Sequence, residues 1–263
     1  MRTFHRYVAI GDSSTEGLED TDDQGAYRGW ADRLAEYVAD AQEEPLEYAN
    51  LAVRGRRMGE IRATQLESAV ALQPDLMTVF GGVNDVLLRT RHFAAIQSDL
   101  GAMFAAGRAL GATVLTFTVP DPAIVNPLVR RMQGPILALN EMIRTEADRH
   151  GVLVIDFAAV PLAADRRLYW ADRLHSSPLG HQVIATAMAA RLELPGFGDW
   201  TELVPEDRLQ PRRLDRVRDD LGWVRRHVLP FAVQRARGIR YGTGREPKRP
   251  EPVVVPKSSV RTG

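Results

Sequence analysis

The chain has 263 residues, of which 44% are hydrophobic and 26% charged, the balance of a globular protein with a sizeable core. Its 34 basic and 34 acidic residues cancel, which argues against nucleic-acid binding through overall positive charge. The chain has no cysteine, which excludes disulfides, a thiolate nucleophile and cysteine-based zinc sites.

Short apolar runs alternate along the chain with longer segments of helical periodicity. The runs predict five strands, at 7–10, 47–53, 76–80, 113–119 and 152–157. The longer segments predict helices at 32–42, 58–72, 93–110, 128–150 and 178–192, the fourth bent or restarted at Pro135. Strands that alternate with helices predict an α/β fold, here a five-stranded parallel sheet with helices on both faces.

The last part of the chain has a different composition. From residue 205 onward it contains 15 basic and 7 acidic residues, whereas the preceding part is acidic. We predict a main domain over 1–199, an Arg-rich helical extension over 200–242 and an extended or disordered tail over 243–263. A helix is expected at 211–226, and the apolar residues expected to pack the extension on the domain are Trp223, Val224, Val228, Leu229, Phe231 and Val233.

The N-terminal residues and the hydropathy pattern bear on location. Residues 1–10 lack the apolar stretch of roughly 7–15 residues and the cleavage site of a signal peptide. No apolar run reaches the roughly 18 residues that a membrane span needs. We therefore expect a cytoplasmic protein without a transmembrane segment; the basic extension is a candidate for weak contact with an anionic surface.

Polar side chains follow the predicted strands at the points where each strand ends. Ligands of an open parallel sheet bind beyond the carboxyl ends of its strands, so these residues are expected to meet at one rim. They are Gly11-Asp12-Ser13 after the first strand, Asn50 to Gly55 after the second, Gly81 to Asp85 after the third, and Asp172 to His175 before the last helix.

These four blocks, in this order, resemble those of the SGNH hydrolases, also called the GDSL esterase/lipase superfamily. The resemblance covers roughly residues 7–194. It implies a three-layer, flavodoxin-like sandwich and hydrolysis of carboxylic esters or thioesters without a metal or other cofactor. The GxSxG nucleophile elbow of ordinary α/β-hydrolases is absent from the sequence.

The resemblance also implies roles for individual residues. Ser13 matches the nucleophile, His175 the general base and Asp172 the carboxylate that orients the base. Asn84 matches the side-chain donor of the oxyanion hole, and the backbone N–H groups of Ser13 and Ala52 match its other donors. The family usually has glycine where this chain has Ala52; alanine keeps the N–H but adds a methyl group.

Read singly, the same residues have plainer interpretations. Ser13 is also a natural N-cap for the helix that follows it. Asp85 is predicted to cap a helix that begins near Val86, and His181 to be a surface or supporting residue of the last helix. Trp170 is expected either to line a substrate pocket or to belong to the core.

The function predicted from these observations is a serine esterase that acts on small or medium acyl groups. A thioesterase, a lysophospholipase or an acyltransferase would use the same site, and a non-catalytic binding module is a further alternative. The expected partner is a small-molecule ester, and the sequence does not specify the oligomeric state.

Overall fold

The structure is a computed structural model that describes residues 2–87, 92–121, 127–204, 222–223, 225–226 and 242–258. Most of the predicted helix 211–226, and most of the apolar residues assigned to the extension, lie outside these ranges. Within the described ranges, no helix is both long and apolar enough to cross a lipid bilayer.

A six-stranded sheet forms the centre of the molecule, with the strand order β5-β4-β3-β1-β2-β6. Strands β1 to β5 are all parallel, and their order is that of flavodoxin-like folds. The predicted fold class is therefore confirmed. The strands are β1 (Arg6–Gly11), β2 (Glu47–Asn50), β3 (Leu76–Phe80), β4 (Thr113–Phe117), β5 (Leu153–Ile155) and β6 (Arg249–Val254).

The sixth strand corrects the predicted count of five. It comes from the segment predicted to be an extended or disordered tail, and it pairs antiparallel with β2 at the edge of the sheet. Its sequence, RPEPVV, contains two prolines, which are unfavourable inside a sheet and tolerated at its edge. Local sequence patterns do not predict this strand, because it contains two prolines and because its pairing partner, β2, lies some 200 residues earlier in the chain.

The helices lie close to their predicted positions and cover both faces of the sheet. Pro135 lies in the first turn of the fourth long helix, which follows a 3₁₀ helix over Pro127–Met132, so the predicted restart is confirmed. The helices are α1 (Ser13–Glu16), α2 (Gly29–Ala41), α3 (Met58–Ala71), α4 (Val83–Leu87), α5 (Phe93–Ala109), α6 (Gln133–His150) and α7 (Pro178–Arg191).

Two apolar cores separate the three layers. Alternate residues of β1 point to opposite faces of the sheet, as the two-residue period of a strand requires: Tyr7 joins one core and Val8 the other. The first core packs α2 and α7 on the sheet, and the second packs α3, α5 and α6. This packing fixes the strands, and with them the loops at their carboxyl ends.

Candidate active site

Ser13 is the first residue of α1 and follows the tight turn at the end of β1. A Cβ atom at Gly11 would lie 2.3 Å from Thr15 Oγ1 and 2.5 Å from Phe80 O, so only glycine fits this turn. Asp12 is the N-cap of α1, because its side chain accepts a hydrogen bond from Ser14 N. Ser13 is therefore not the cap, and its side chain remains available for another contact.

His175 and Asp172 lie on a compact loop that ends just before α7. Its ends are held together by an isolated bridge between Tyr169 and Ser176, and Trp170 N donates to His175 O over 2.8 Å. Asp172 Oδ1 accepts hydrogen bonds from the backbone N–H of both Leu174 and His175, each at 3.0 Å. The loop thus holds the carboxylate beside the imidazole ring before any substrate is present.

The hydroxyl, imidazole and carboxylate form a continuous hydrogen-bonded chain. Ser13 Oγ lies 3.0 Å from His175 Nε2, and His175 Nδ1 lies 2.6 Å from Asp172 Oδ2. An ionised carboxylate only accepts hydrogen bonds, so Nδ1 carries the proton and the lone pair of Nε2 faces the hydroxyl. This is the geometry in which a histidine removes a proton from serine.

The pair His175–Asp172 shifts both of its pKa values in the sense that favours an ion pair. Burial lowers the pKa of His175, but the hydrogen bond and charge of Asp172, with smaller contributions from Asp12 and Glu19, outweigh it, so the pKa is raised. Burial raises the pKa of Asp172, but its hydrogen bond to His175 leaves that pKa lowered. An imidazolium that forms during a reaction is therefore stabilised.

The expected oxyanion donors lie next to the hydrogen-bonded residues Ser13, His175 and Asp172, and two of these donors have acceptors within the protein. Asn84 Nδ2 lies 3.2 Å from Asp12 Oδ2 and 3.0 Å from Arg56 O. Ala52 N donates to Asn50 Oδ1 at 3.1 Å. Ser13 N belongs to the first residue of α1, where the helix offers no acceptor. To donate to a substrate oxygen, Asn84 would have to rotate its amide or share a hydrogen with its present acceptor. Ala52 N would have to share its hydrogen between Asn50 Oδ1 and the substrate.

Asp12 is a feature of the site that the sequence did not reveal. It is only 2% exposed, directly precedes Ser13, and accepts a hydrogen bond from Asn84 Nδ2. Burial raises the pKa of Asp12 to about 7, although Ser14 N and the charge of His175 oppose the rise. The Gly-Asp-Ser tripeptide identified the serine, but nothing in it marks the carboxyl as one that titrates near neutral pH.

Three plainer predictions are corrected or decided by the structure. Asp85 lies inside α4, and its carboxylate accepts from Met58 N at the start of α3, so it caps a different helix from the one predicted. His181 is fully buried instead of lying at the surface, with Nδ1 accepting from Trp30 N and Nε2 donating to Leu18 O. Trp170 is 41% exposed, which excludes a core role.

Several solved structures have the same fold. TesA is 22% identical, with 72% of this chain and 98% of TesA covered and a TM-score of 0.59. LAE5, an α/β hydrolase enzyme from the metagenome of Lake Arreo, Spain, is 23% identical, with 74% and 97% covered and a TM-score of 0.61. Axe2, an acetylxylan esterase from Geobacillus stearothermophilus, is 19% identical, with 79% and 99% covered and a TM-score of 0.59.

The sequence comparisons give one family. No curated protein matched the chain. The model of the GDSL-like lipase/acylhydrolase family matches residues 9–183, a stretch that includes Ser13, Asn84, Asp172 and His175. Because this match spans well over half of the chain, the protein belongs to the GDSL-like lipase/acylhydrolase family of ester-bond hydrolases.

Proposed function

We propose that the protein is a serine esterase that works through an acyl-enzyme intermediate on Ser13. The observation that carries the proposal is the unbroken chain from Ser13 Oγ to His175 Nε2, at 3.0 Å, and from His175 Nδ1 to Asp172 Oδ2, at 2.6 Å. A serine hydroxyl is a weak nucleophile, and a base within hydrogen-bond reach activates it.

In the first half-reaction, Ser13 Oγ attacks the carbonyl carbon of the ester while His175 Nε2 takes the hydroxyl proton. Asp172 stabilises the imidazolium, as the opposite pKa shifts of the two residues support. The C–O bond to the leaving group then breaks, and the imidazolium protonates the departing alcohol. In the second half-reaction, water takes the place of the alcohol and releases the acid from Ser13.

The oxyanion of each tetrahedral intermediate is assigned to the backbone N–H groups of Ser13 and Ala52 and to the side chain of Asn84. Substrate would have to draw Asn84 Nδ2 away from Asp12 Oδ2 or Arg56 O, and Ala52 N away from Asn50 Oδ1. A preorganised oxyanion donor contributes roughly 3–4 kcal/mol to the lowering of the barrier, and the internal hydrogen bonds that Asn84 and Ala52 give up are subtracted from that gain. The added methyl group of Ala52 leaves its N–H in place.

Small or medium acyl groups are the proposed substrates. Two of the segments that carry the site are short: one residue, Asp12, separates β1 from α1, and seven residues separate β2 from α3. The third, which carries Asp172 and His175, has 22 residues between β5 and α7, ten of them in 3₁₀ helices. Short loops leave little chain to form a long acyl tunnel. Hydrolysis of p-nitrophenyl esters should therefore be fastest for acetate to hexanoate, and a steady increase towards palmitate would contradict this assignment.

Labelling with a fluorophosphonate probe tests the nucleophile independently of the natural substrate. Wild-type protein should label, and Ser13→Ala should neither label nor hydrolyse p-nitrophenyl acetate. Ser14→Ala is the matched control, because it removes the neighbouring hydroxyl and should label normally. Labelling that survives in Ser13→Ala would sink the proposal.

The leaving group is the second unknown. Acyl-CoA, lysophospholipid and acetylated sugars would undergo the same two half-reactions, so their turnover on one preparation, with Ser13→Ala as blank, distinguishes the thioesterase and lysophospholipase alternatives from a carboxylesterase. Added alcohols test for acyl transfer, because they would divert product from free acid to new ester. The cytoplasmic location stays a prediction.

A further inference from the structure

Trp223, from the extension, contacts the loop that carries Asp172 and His175. Its indole Nε1 donates a hydrogen bond to Asp172 O over 2.7 Å, and the side chain is buried. The guanidinium carbon of Arg173 lies 5.3 Å from the centroid of the indole ring, within the range of a cation–π contact. One aromatic residue thus holds two successive residues of this loop.

The loop also has hydrogen bonds of its own. Asp172 Oδ1 accepts from Leu174 N and His175 N, and Arg173 N donates to Trp170 O. Arg173 has a φ of 58°, a left-handed conformation that is uncommon for a residue with a side chain. Trp223 supplies a contact from outside the loop, on the carbonyl of the residue whose carboxylate orients His175.

We propose that Trp223 is a positioning residue of the active site, which holds the backbone of Asp172 so that its carboxylate stays aligned with His175 Nδ1. The proposal rests on the proposed function, because it concerns the same acid and base. It gives the extension a role in positioning the active site, in addition to the anionic-surface contact predicted from its charge.

The family resemblance does not supply this residue. The family match ends at residue 183, and Trp223 follows some 40 residues later. The match to Axe2 covers 99% of Axe2 but leaves about a fifth of this chain uncovered. The loop is therefore part of the family domain, whereas the indole that holds it comes from a part of the chain beyond the family match.

The test is Trp223→Phe, which keeps an aromatic ring beside Arg173 but removes the N–H donor together with one ring of the indole; the control variant removes the same ring elsewhere. We expect kcat on the best p-nitrophenyl ester to fall roughly 10- to 100-fold with little change in KM, since small misplacements of catalytic groups cost this much. The acid limb of the kcat/KM profile should also move to lower pH, because a looser Asp172 raises the pKa of His175 less. Asp12 and Glu19, the other acidic groups that act on His175, are unchanged.

Trp200→Phe is the matched control, since Trp200 packs edge-on against Phe157 at 4.9 Å rather than on the loop, and it should leave kcat and the pH profile unchanged. The NMR titration of His175 and the resonance of its Nδ1 proton give a readout that needs no substrate. In Trp223→Phe that pKa should fall and that resonance should shift upfield, with unfolding unchanged by circular dichroism.

An unshifted His175 pKa together with a kcat within twofold of wild type would overturn the proposal, as would equal losses in Trp200→Phe. If no ester is hydrolysed by wild type, the proposed function fails, and the NMR titration still decides the role of Trp223.

Discussion

At the scale of single residues, the pKa values of two carboxyl groups of the site are shifted in opposite directions. Asp172 is paired with His175, and its pKa is lowered. Asp12 is buried beside the nucleophile, and its pKa is raised to about 7. Asp12 Oδ2 accepts a hydrogen bond from Asn84 Nδ2, and Asn84 is expected to bind the oxyanion. The charge of Asp12 therefore changes, around neutral pH, directly beside an oxyanion donor.

Asp12→Asn should change stability in a pH-dependent way. Folded protein binds the Asp12 proton more tightly than unfolded protein, whose carboxyl has a pKa of about 3.8. The wild type therefore loses stability from this group as the pH rises from about 4 to 7. The variant lacks this loss, so its unfolding free energy relative to wild type should increase between pH 5 and pH 8 by on the order of 2–3 kcal/mol.

Urea unfolding at the two pH values measures this difference. Asp23→Asn removes an exposed carboxyl of the same type and should show no such dependence. A difference between Asp12→Asn and wild type that stays constant from pH 5 to pH 8 would mean that Asp12 is ionised throughout this range.

Asp172→Asn should affect catalysis much more than folding. An asparagine can present its N–H to His175 Nδ1, which selects the tautomer with the proton on Nε2 and leaves no lone pair for Ser13. The loss of kcat expected for this change in a Ser-His-Asp system is about 10⁴-fold, to be measured with p-nitrophenyl acetate. Asp165→Asn, which alters an Asp on the surface of the same segment, should retain full activity; equal activity in Asp172→Asn would remove Asp172 from the mechanism.

At the scale of elements, α7 is tied to the nucleophile side of the molecule by His181. The ring accepts from Trp30 N in α2 and donates to Leu18 O just after α1. Burial lowers the pKa of His181, which keeps the ring neutral, as both of these hydrogen bonds require. The histidine thus connects the helix after the catalytic loop to the two helices after β1.

His181→Gln should therefore destabilise the protein, and most strongly at neutral pH. A histidine whose pKa is lowered on folding contributes its full stability above the unfolded pKa of about 6.5, and that contribution falls as the pH drops below it. The decrease in Tm caused by His181→Gln should be larger at pH 7.5 than at pH 5. His5→Gln, at an exposed histidine, is the control; an equal decrease at both pH values would show that His181 is not a titrating contributor.

The sequence predicted elements best where local pattern and tertiary packing agree. Strand β3 and the start of α3 coincide with their predicted residues, because an apolar run and a helical face are both read locally. Strand β2 ends at Asn50, three residues before its predicted end, since the Asn50 side chain turns back to accept from Ala52 N. Such side-chain contacts across a turn are not visible in a hydropathy pattern.

The residues of the site divide in the same way. Ser13, Asn84, Asp172 and His175 stand out because each follows a strand or precedes a helix in a recognisable block. Trp223 does not, because its partner, Asp172 O, lies 51 residues away in sequence. Long-range contacts to a backbone carbonyl depend on how the chain packs, which no spacing of residues encodes.

At the scale of the whole molecule, the C-terminal segment closes the edge of the sheet. Val255 N donates to Leu46 O, and Val253 and Val254 continue this regular pairing with β2, so Pro252 falls on the outward side. Proline has no N–H to offer a further strand. The segment therefore covers the edge of β2 and presents an edge that resists pairing with another molecule.

The same segment is anchored by Lys248. Its ammonium donates to Arg28 O at 2.8 Å and to the carboxylate of Asp32, which is itself buried at the start of α2. Burial raises the pKa of Asp32 and lowers that of Lys248, while their mutual attraction opposes both shifts. Burying either charge alone would be unfavourable, whereas burying the two as an ion pair offsets much of the desolvation cost. The pair therefore connects the segment that contains β6 to α2.

Lys248→Met should accordingly cost about 3 kcal/mol of stability, since it leaves the buried carboxylate with only the weaker partners Arg249 and Tyr48. For a protein of this size that is a decrease in Tm of roughly 6–12 °C, measurable by calorimetry. Adding Asp32→Asn to Lys248→Met removes the unpaired charge and should restore part of the loss. Asp32→Asn alone completes the cycle, and losses of the two single variants that simply add in the double variant, for a coupling energy near zero, would mean that the ammonium acts through Arg28 O and not through the ion pair.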